Sequence, residues 1–200
     1  MKTSIKTLIT SSFAAIILSS ALGSTGAVAT EIPTVKVSKT SNFHRVSVKG
    51  NVEVTIIQRA TTGVVYAEDN TGTAKIMQDG DVLRITSLDK GLTKVLVYVN
   101  DIFRIEASEN AIVKTQGKLT TQYLQIFLKG NAHAEINTST EGLYTVINDN
   151  ADLKLSGSTD NHTLVMGKTQ KITIDKFAAL RTSISSVETI AVEKEIASIK

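Results

Sequence analysis

Residues 124–136 read LQIFLKGNAHAEI, and residues 143–155, nineteen positions later, read LYTVINDNADLKL. In both segments apolar residues alternate with polar ones on either side of a turn that contains Asn-Ala. The pattern recurs over 103–115 and more weakly over 162–174 and 180–192, which makes five copies at steps of 18–21 residues. Alternation with period two predicts half-buried strands. A repeat of this length is typical of solenoids, in which each unit buries its inner face against its neighbours.

One further copy precedes this array. Residues 48–56 (VKGNVEVTI) match residues 128–136 (LKGNAHAEI) in residue class at nearly every position, which predicts a first coil over 43–57. We therefore predict an all-β fold, a β-solenoid or β-helix-like stack of 18–21-residue coils, with regular coils over 101–195.

A strand-rich insertion, 58–100, separates the first coil from the array. Its alternating segments, bounded by Asp79-Gly80 and Lys90-Gly91, predict three strands at about 64–67, 81–86 and 94–99. An open solenoid end exposes unpaired backbone groups. We therefore expect the insertion to cap the stack or to pair along its side.

The repeated turns carry an asparagine at a fixed place. Asparagine tolerates the left-handed backbone conformation, and the small residue after it can point inward at a corner. We predict that the side-chain amides stack as a structural ladder along the coils, with a ligand-binding stripe as the alternative. The residues of this predicted ladder are Asn51, Asn110, Asn131 and Asn150.

The N-terminal segment predicts export. Lys2 and Lys6 precede an apolar stretch from Leu8 to Leu22, and Ala27-Val28-Ala29 supplies a small-x-small cleavage pattern. We expect a signal peptide over 1–29, cleaved after Ala29. The remaining residues 30–200 would form a single exported domain, periplasmic, at the cell surface or secreted. No later stretch has the length and hydropathy of a membrane-spanning helix.

Composition narrows the candidate chemistry. The chain has no cysteine, which excludes disulfides and thiol nucleophiles. Its three histidines are too few to predict a histidine-rich metal centre. The formal charge of +3 falls to nearly zero once Lys2 and Lys6 are removed with the leader. A near-neutral chain gives no electrostatic reason to expect nucleic acid as a partner.

No catalytic, cofactor-binding or metal-binding residues can be assigned from motifs. The 19-residue register places Asp152 above His133, an arrangement that a solvated polar surface also explains. Tyr123 and Tyr144 occupy nearby repeat positions, and His162 falls where other copies carry leucine. The surface patch considered for binding therefore consists of Tyr123, Tyr144, His133 and Asp152.

Three segments resemble a known family. The first is Phe43-x-x-Val46-x-Val48-x-Gly50-Asn51-Val52-x-Val54, the second is Asp79-Gly80-x-Val82-Leu83-x-Ile85, and the third is Val97-Tyr98-Val99 before the Asn-Ala coils. Together these are similar to the family described as putative autotransporter adhesin, head GIN domain, over about residues 40–192. The resemblance implies an exported bacterial protein of β-helix-like architecture. The turns here read Glu-Asn-Ala, Gly-Asn-Ala and Asp-Asn-Ala rather than Ser-Gly-Ala, and no literal Gly-Ile-Asn occurs.

Three functions remain open from the sequence. The leading hypothesis is a non-enzymatic binding or structural module of the envelope or surface, adhesin-like, that presents a solenoid face to a glycan or a protein. The alternatives are a carbohydrate-active β-helix enzyme, which rests on fold analogy, and a periplasmic signalling or stress accessory protein. Self-association through open edges is left open, and no cofactor is expected.

Overall fold

A computed structural model describes residues 42–167 and 170–186, and every regular element in these residues is a β-strand. The all-β prediction is therefore confirmed. The predicted signal peptide, the 187–195 end of the predicted coils and the rest of the C-terminus lie outside the described residues. The strands are β1 Arg45–Lys49, β2 Val52–Gln58, β3 Gly63–Tyr66, β4 Ala74–Asp79, β5 Val82–Ser87, β6 Thr93–Val99, β7 Arg104–Ser108, β8 Ile112–Gln116, β9 Leu119–Thr120, β10 Tyr123–Leu128, β11 His133–Ile147, β12 Asp152–Met166 and β13 Lys171–Ser185.

The strands form one curled, open sheet, a half-barrel, with two arms. The first arm contains β4, β5, β1, β7 and β10 in that spatial order, and β10 pairs with the later half of β11. The second arm contains β3, β6, β2 and β8, and β8 pairs with the earlier half of β11. Strands β12 and β13 continue both arms beyond β11. All pairs are parallel except β4 with β5 and β3 with β6, at the outer ends of the arms.

The spacing of the sequence repeats reappears as the register of the parallel pairs. Leu124 of β10 lies beside Leu143 of β11, nineteen residues on. Leu143 in turn lies beside His162 of β12, again at nineteen. Arg104 of β7 pairs with Gln125 of β10, at the expected step of 21. Residues that share a repeat position therefore share a row across the sheet.

These rows build the core between the arms. Alternate residues of each strand point inward, because successive side chains of a strand face opposite sides of the sheet. One inward row of the first arm crosses five strands: Val46, Ile105, Ile126, Thr145 and Leu164. The second arm contributes a corresponding row, Val54, Val113, Ala134 and Leu153, all fully buried.

The last predicted repeat step is wrong. A step of 18 places Leu180 over His162, but His162 pairs with Thr182, and Leu180 is 81% exposed. The register of β12 with β13 shifts between Leu155 and Gly157, where two residues of β13 face one of β12. This β-bulge includes Lys176, which has a φ of 58°. The extra residue displaces the rest of β13 by one position.

The insertion holds four strands in place of the three predicted. The additional strand is β4, Ala74–Asp79, whose sequence AKIMQD contains few residues with strong β-propensity. Strands β5 and β6 pair in parallel with β1 and β2 and so extend both arms. The antiparallel strands β3 and β4 then cover the outer edges of β6 and β5.

At these turns the residue before the repeated asparagine adopts the left-handed conformation. Positive φ values occur at Gly50, Glu109, Gly130 and Asp149, each directly followed by a ladder asparagine. The expectation that asparagine adopts the left-handed conformation is therefore wrong by one position. The small residue after asparagine does lie inside, since Ala111, Ala132 and Ala151 are buried.

Replacing Gly130 by alanine is expected to destabilise the protein by about 1–2 kcal/mol, because its φ is +73° and a Cβ there would lie 3.1 Å from the Glu109 backbone nitrogen. Chemical denaturation followed by circular dichroism measures this loss. Gly80→Ala is the matched control, with φ +56° and open space around the added carbon. An equal loss in both variants would contradict the role of the Glu109 contact.

Candidate functional site

The two tyrosines of the predicted patch line one shallow groove on the outer surface of the first arm. Tyr123 of β10 is 57% exposed and lies over Gly142 of β11, where a Cβ would meet its ring at 2.8 Å. Tyr144 stands two residues further along β11 and packs against Phe127, with 5.9 Å between the ring centroids. The groove encloses about 240 Å³ and is lined by Tyr123, Leu124, Gln125, Gly142, Leu143, Tyr144, Asn161 and Thr163.

The polar side chains of this groove come from the same repeat rows. Gln125 and Tyr144 are direct neighbours in register with Thr163 of β12. The Nε of Arg104 donates a hydrogen bond to Oε1 of Gln125 at 2.8 Å. The Arg104 guanidinium also lies 5.0 Å from the centre of the Phe127 ring, a cation–π distance. Arg104 thereby contacts both Gln125 and Phe127, the ring against which Tyr144 packs.

All residues that line the groove are uncharged. Two cations adjoin the groove in register: Arg104 lies beside Gln125, with its Nη1 3.5 Å from Oε1 of Glu106, and Arg181 of β13 lies beside Asn161. The groove thus combines two phenol rings, a glycine floor and side-chain amides and hydroxyls. Such a surface can contact an apolar ligand face with its rings and exchange hydrogen bonds at its rim.

The other two residues of the predicted patch lie on the second arm. His133 and Asp152 are register partners near the starts of β11 and β12, with His133 Nδ1 3.2 Å from Asp152 Oδ2. Tyr144 and His133 both belong to β11, but the half that holds Tyr144 pairs with β10 of the first arm and the half that holds His133 pairs with β8 of the second arm. The structure therefore does not bring the four residues into one patch.

His133 belongs instead to an outward-facing group of alternating charges. Its Nε2 lies 3.3 Å from Glu135, whose neighbours in register are Lys114 and Lys154. The hydrogen bond from His133, together with the charges of the two lysines, lowers the pKa of Glu135 despite partial desolvation. The charged side chains of this group therefore have opposite charges as neighbours within the group itself.

Three of the four predicted ladder asparagines contact one another. Asn131 Nδ2 lies 3.3 Å from Asn110 Oδ1, and Asn150 Nδ2 lies 3.4 Å from Asn131 Oδ1. The three side chains are exposed, so the ladder satisfies amides at the protein surface. Asn51 lies at the same turn position beside Asn110, because the flanking pairs Lys49–Ser108 and Glu53–Ile112 share one register, but its Nδ2 donates to the carbonyl of Lys90 at 2.9 Å.

The remaining histidines have partners that the repeat did not reveal. His44 Nδ1 lies 2.7 Å from Asp81 Oδ1, and its ring stacks on Phe103 with centroids 6.2 Å apart. Burial alone would raise the pKa of Asp81, but hydrogen bonds from His44 and the charge of Arg45 outweigh it and lower the pKa. Asp81 is 37 residues from His44 and approaches it only because β5 pairs with β1.

His162 lies inside the core, 2% exposed, at the position where other copies carry leucine. Its Nε2 is 2.6 Å from Thr145 Oγ1, and its ring meets Phe177 edge-on at 5.6 Å. Its Nδ1 has no hydrogen-bond partner. Burial lowers the pKa of His162 below its usual value, so the side chain is neutral near pH 7.

Within 42–167 and 170–186, no three His, Asp or Glu side chains gather as they would to hold a metal ion. In the same residues no helix has the length and hydropathy needed to cross a bilayer.

Three solved structures with a similar fold come from Bacteroides fragilis and Parabacteroides distasonis. A putative adhesin from Bacteroides fragilis has a TM-score of 0.63 at 17% identity, covering 74% of this chain and 73% of that chain. A putative adhesin from Parabacteroides distasonis has a TM-score of 0.57 at 14% identity, covering 76% and 77%. A putative lipid binding protein from the same species has a TM-score of 0.54 at 11% identity, also covering 76% and 77%. At these identities the likeness concerns the fold alone.

No curated protein matches this chain significantly. The family model described as Putative auto-transporter adhesin, head GIN domain, matches residues 42–189, which include all the described strands. The three segments that suggested this family, from Phe43, Asp79 and Val97 onward, all fall within the match. The chain belongs to the Putative auto-transporter adhesin, head GIN domain family.

Proposed function

We propose that this protein is a non-enzymatic, exported binding module of the cell envelope, and that the groove between Tyr123 and Tyr144 is its binding surface. The observation that carries the proposal is the groove itself, in which exposed aromatic rings adjoin amide and hydroxyl groups. Exposed aromatic clusters with a polar rim are typical of recognition sites. The adhesin family and the similar fold of two putative adhesins support a surface role.

The proposal extends to the architecture and the compartment. Parallel pairing at steps of 19–21 residues supports a description of residues 43–186 as a short β-solenoid, with the exposed asparagine ladder stabilising its turns. The basic and apolar pattern of 1–29 supports export and cleavage after Ala29, which leaves a single domain over 30–200.

The compartment is tested by protease treatment of intact cells, with a periplasmic protein as the control. We expect the protein to disappear from intact cells while the control survives. Digestion only after the outer membrane is opened would place it in the periplasm and overturn a surface role. Recovery in the cytoplasm with the leader still attached would overturn export.

Binding is tested with the exported protein purified from cells that express the full chain. Labelled protein is applied to separated glycan and protein fractions of the envelope, and we expect retention on one of them. Tyr123→Ala should reduce retention by about tenfold, on the scale of one exposed aromatic contact. Release of soluble sugar from the glycan fraction would contradict a non-enzymatic role.

Tyr98→Ala is the matched control for this experiment. Tyr98 belongs to β6 of the second arm, and Arg59 lies 4.6 Å from the centre of its ring. Tyr98→Ala should be retained on the envelope fraction as strongly as the unaltered protein. Equal losses in both variants would contradict a site at the groove, and no retention on either fraction would overturn the binding module.

A further inference from the structure

We infer that the groove between Tyr123 and Tyr144 binds a short, uncharged segment of a glycan. This inference rests on the proposed function and names the class of ligand for the proposed binding surface. Sugar rings carry an apolar face of C–H groups and a rim of hydroxyls. The groove offers the complementary pair of surfaces, aromatic rings in its wall and hydrogen-bonding side chains at its rim.

The aromatic surface is held in place on both sides. Tyr123 lies directly over the backbone of Gly142, where any larger residue would push its ring away. Tyr144 is supported by Phe127, and Arg104 lies against Phe127 in turn. A ligand that packs on these rings therefore meets a surface whose main contacts are formed before binding, which reduces the entropy lost on binding.

Gln125 presents a hydrogen-bond donor to the ligand. A guanidinium has donors only, so the Gln125 atom that faces Arg104 Nε must be the carbonyl oxygen, Oε1. The amide nitrogen of Gln125 is thereby directed away from Arg104, with its two N–H groups available at the groove. Asn161 and Thr163 on β12 add groups that both donate and accept. Sugar hydroxyls match this mixture, since each can donate and accept.

The charges around the groove favour an uncharged sugar over a uronate. None of the lining residues is charged. The guanidinium of Arg104 already contacts Gln125, Phe127 and Glu106. A carboxylate held between Tyr123 and Gln125 would lose part of its hydration without gaining a free cationic partner, since Arg181, the register neighbour of Asn161, lies three strand spacings, about 14 Å, from Tyr123.

The width of the groove sets the length of the bound segment. Its polar and aromatic residues come from β10, β11 and β12, three successive strands. Two strand spacings amount to about 10 Å, which is the span of a disaccharide. Affinity should therefore rise from a monosaccharide to a disaccharide and change little for longer chains.

The experiment titrates the exported protein with neutral oligosaccharides of glucose, mannose and N-acetylglucosamine, one to six units long, and with oligogalacturonates. Calorimetry measures the affinity. Tyrosine fluorescence provides a second readout, because the chain has no tryptophan and only four tyrosines. We expect at least one neutral series to bind, with a plateau from the disaccharide, and the uronates to bind at least tenfold more weakly.

Three variants probe the groove. Tyr123→Ala should weaken binding about tenfold, and Gly142→Ala should do likewise by displacing the Tyr123 ring. Gln125→Glu keeps the contact with Arg104 and replaces the donating amide with a carboxylate, so it should also weaken binding about tenfold. Gln116→Glu, on the second arm, introduces the same charge change and should leave binding unaltered.

Tighter binding of the uronates, or an equal effect of Gln125→Glu and Gln116→Glu, would overturn the inference. If no neutral oligosaccharide binds while Tyr123→Ala still reduces retention on an envelope protein fraction, the glycan inference fails and the proposed binding function stands. If retention on both envelope fractions is absent as well, both fail.

Discussion

Replacing Gly157 with alanine is expected to destabilise the protein by at least about 3 kcal/mol, because two unfavourable effects coincide at this position. The φ of Gly157 is +100°, a conformation that residues with a side chain rarely adopt. An added Cβ would overlap the carbonyl oxygen of Thr138 on the neighbouring strand, and backbone atoms of a paired strand cannot move aside independently. Urea denaturation followed by circular dichroism measures the loss.

Gly117→Ala separates the two effects. Gly117 has a φ of +83°, but nothing lies within 4 Å of an added Cβ. We expect this variant to lose about 1 kcal/mol from backbone strain alone. If Gly157→Ala were no more destabilising than Gly117→Ala, the overlap with Thr138 would not govern the close approach of β11 and β12.

Replacing His162 with leucine is expected to stabilise the protein and to remove part of its sensitivity to acid. His162 is buried beside Thr145 and Phe177, one of its ring nitrogens has no partner, and its register neighbour is Leu143. Leucine restores the apolar residue of the earlier repeats. Thr145 keeps the Thr163 carbonyl as an acceptor at 3.3 Å. The expected gain is about 1–2 kcal/mol near pH 7, the scale of an unsatisfied buried polar group.

The effect of pH follows from the direction of the pKa shift. Burial lowers the pKa of His162 in the folded state, so below the unfolded pKa of about 6.5 the unfolded chain binds a proton that the folded chain resists. Above this pH, His162 is neutral in both states, so its protonation does not reduce the free energy of unfolding. As the pH drops from there toward the lowered native pKa, the free energy of unfolding falls by up to about 1.4 kcal/mol per pH unit.

Denaturation of the natural protein and His162→Leu at several values between pH 7.5 and 5 tests this prediction. Most carboxylates remain ionised in this range, so the difference between the two proteins reports the histidine. We expect the advantage of His162→Leu to increase as the pH falls. His133→Gln, which removes a partly exposed histidine, is the control. A constant difference for His162→Leu would contradict protonation of His162 as the cause.

The sequence was sufficient to predict the strand type and most of the register. Strict alternation around recurring Asn-Ala turns identified the inward residues, and the 19-residue step placed Leu124 beside Leu143. Strand β4 was missed because Lys75 and Gln78 fit a loop as readily as an edge strand. The shift in β13 depends on a single residue with positive φ, Lys176, which no local pattern indicates.

The candidate site was predictable only within one arm. Register arithmetic brought Tyr123 near Tyr144 and His133 near Asp152, because each pair belongs to adjacent strands. It could not separate the pairs from each other, since the two arms meet along the same long strands. The orientation of Gln125 depends on a hydrogen bond from Arg104, its register neighbour in the same row, which alternation alone does not reveal.

The position of β1 between β5 and β7 has a consequence for the order of events during synthesis. The first described strand can acquire both of its neighbours only after residues up to Ser108 are available, and β2 likewise waits for β6 and β8. Such distant pairings form slowly, because the chain between them must first be brought together. A nascent chain that ends before Gln116 therefore cannot complete this part of the sheet, and the N-terminal strands lack their partner strands until then.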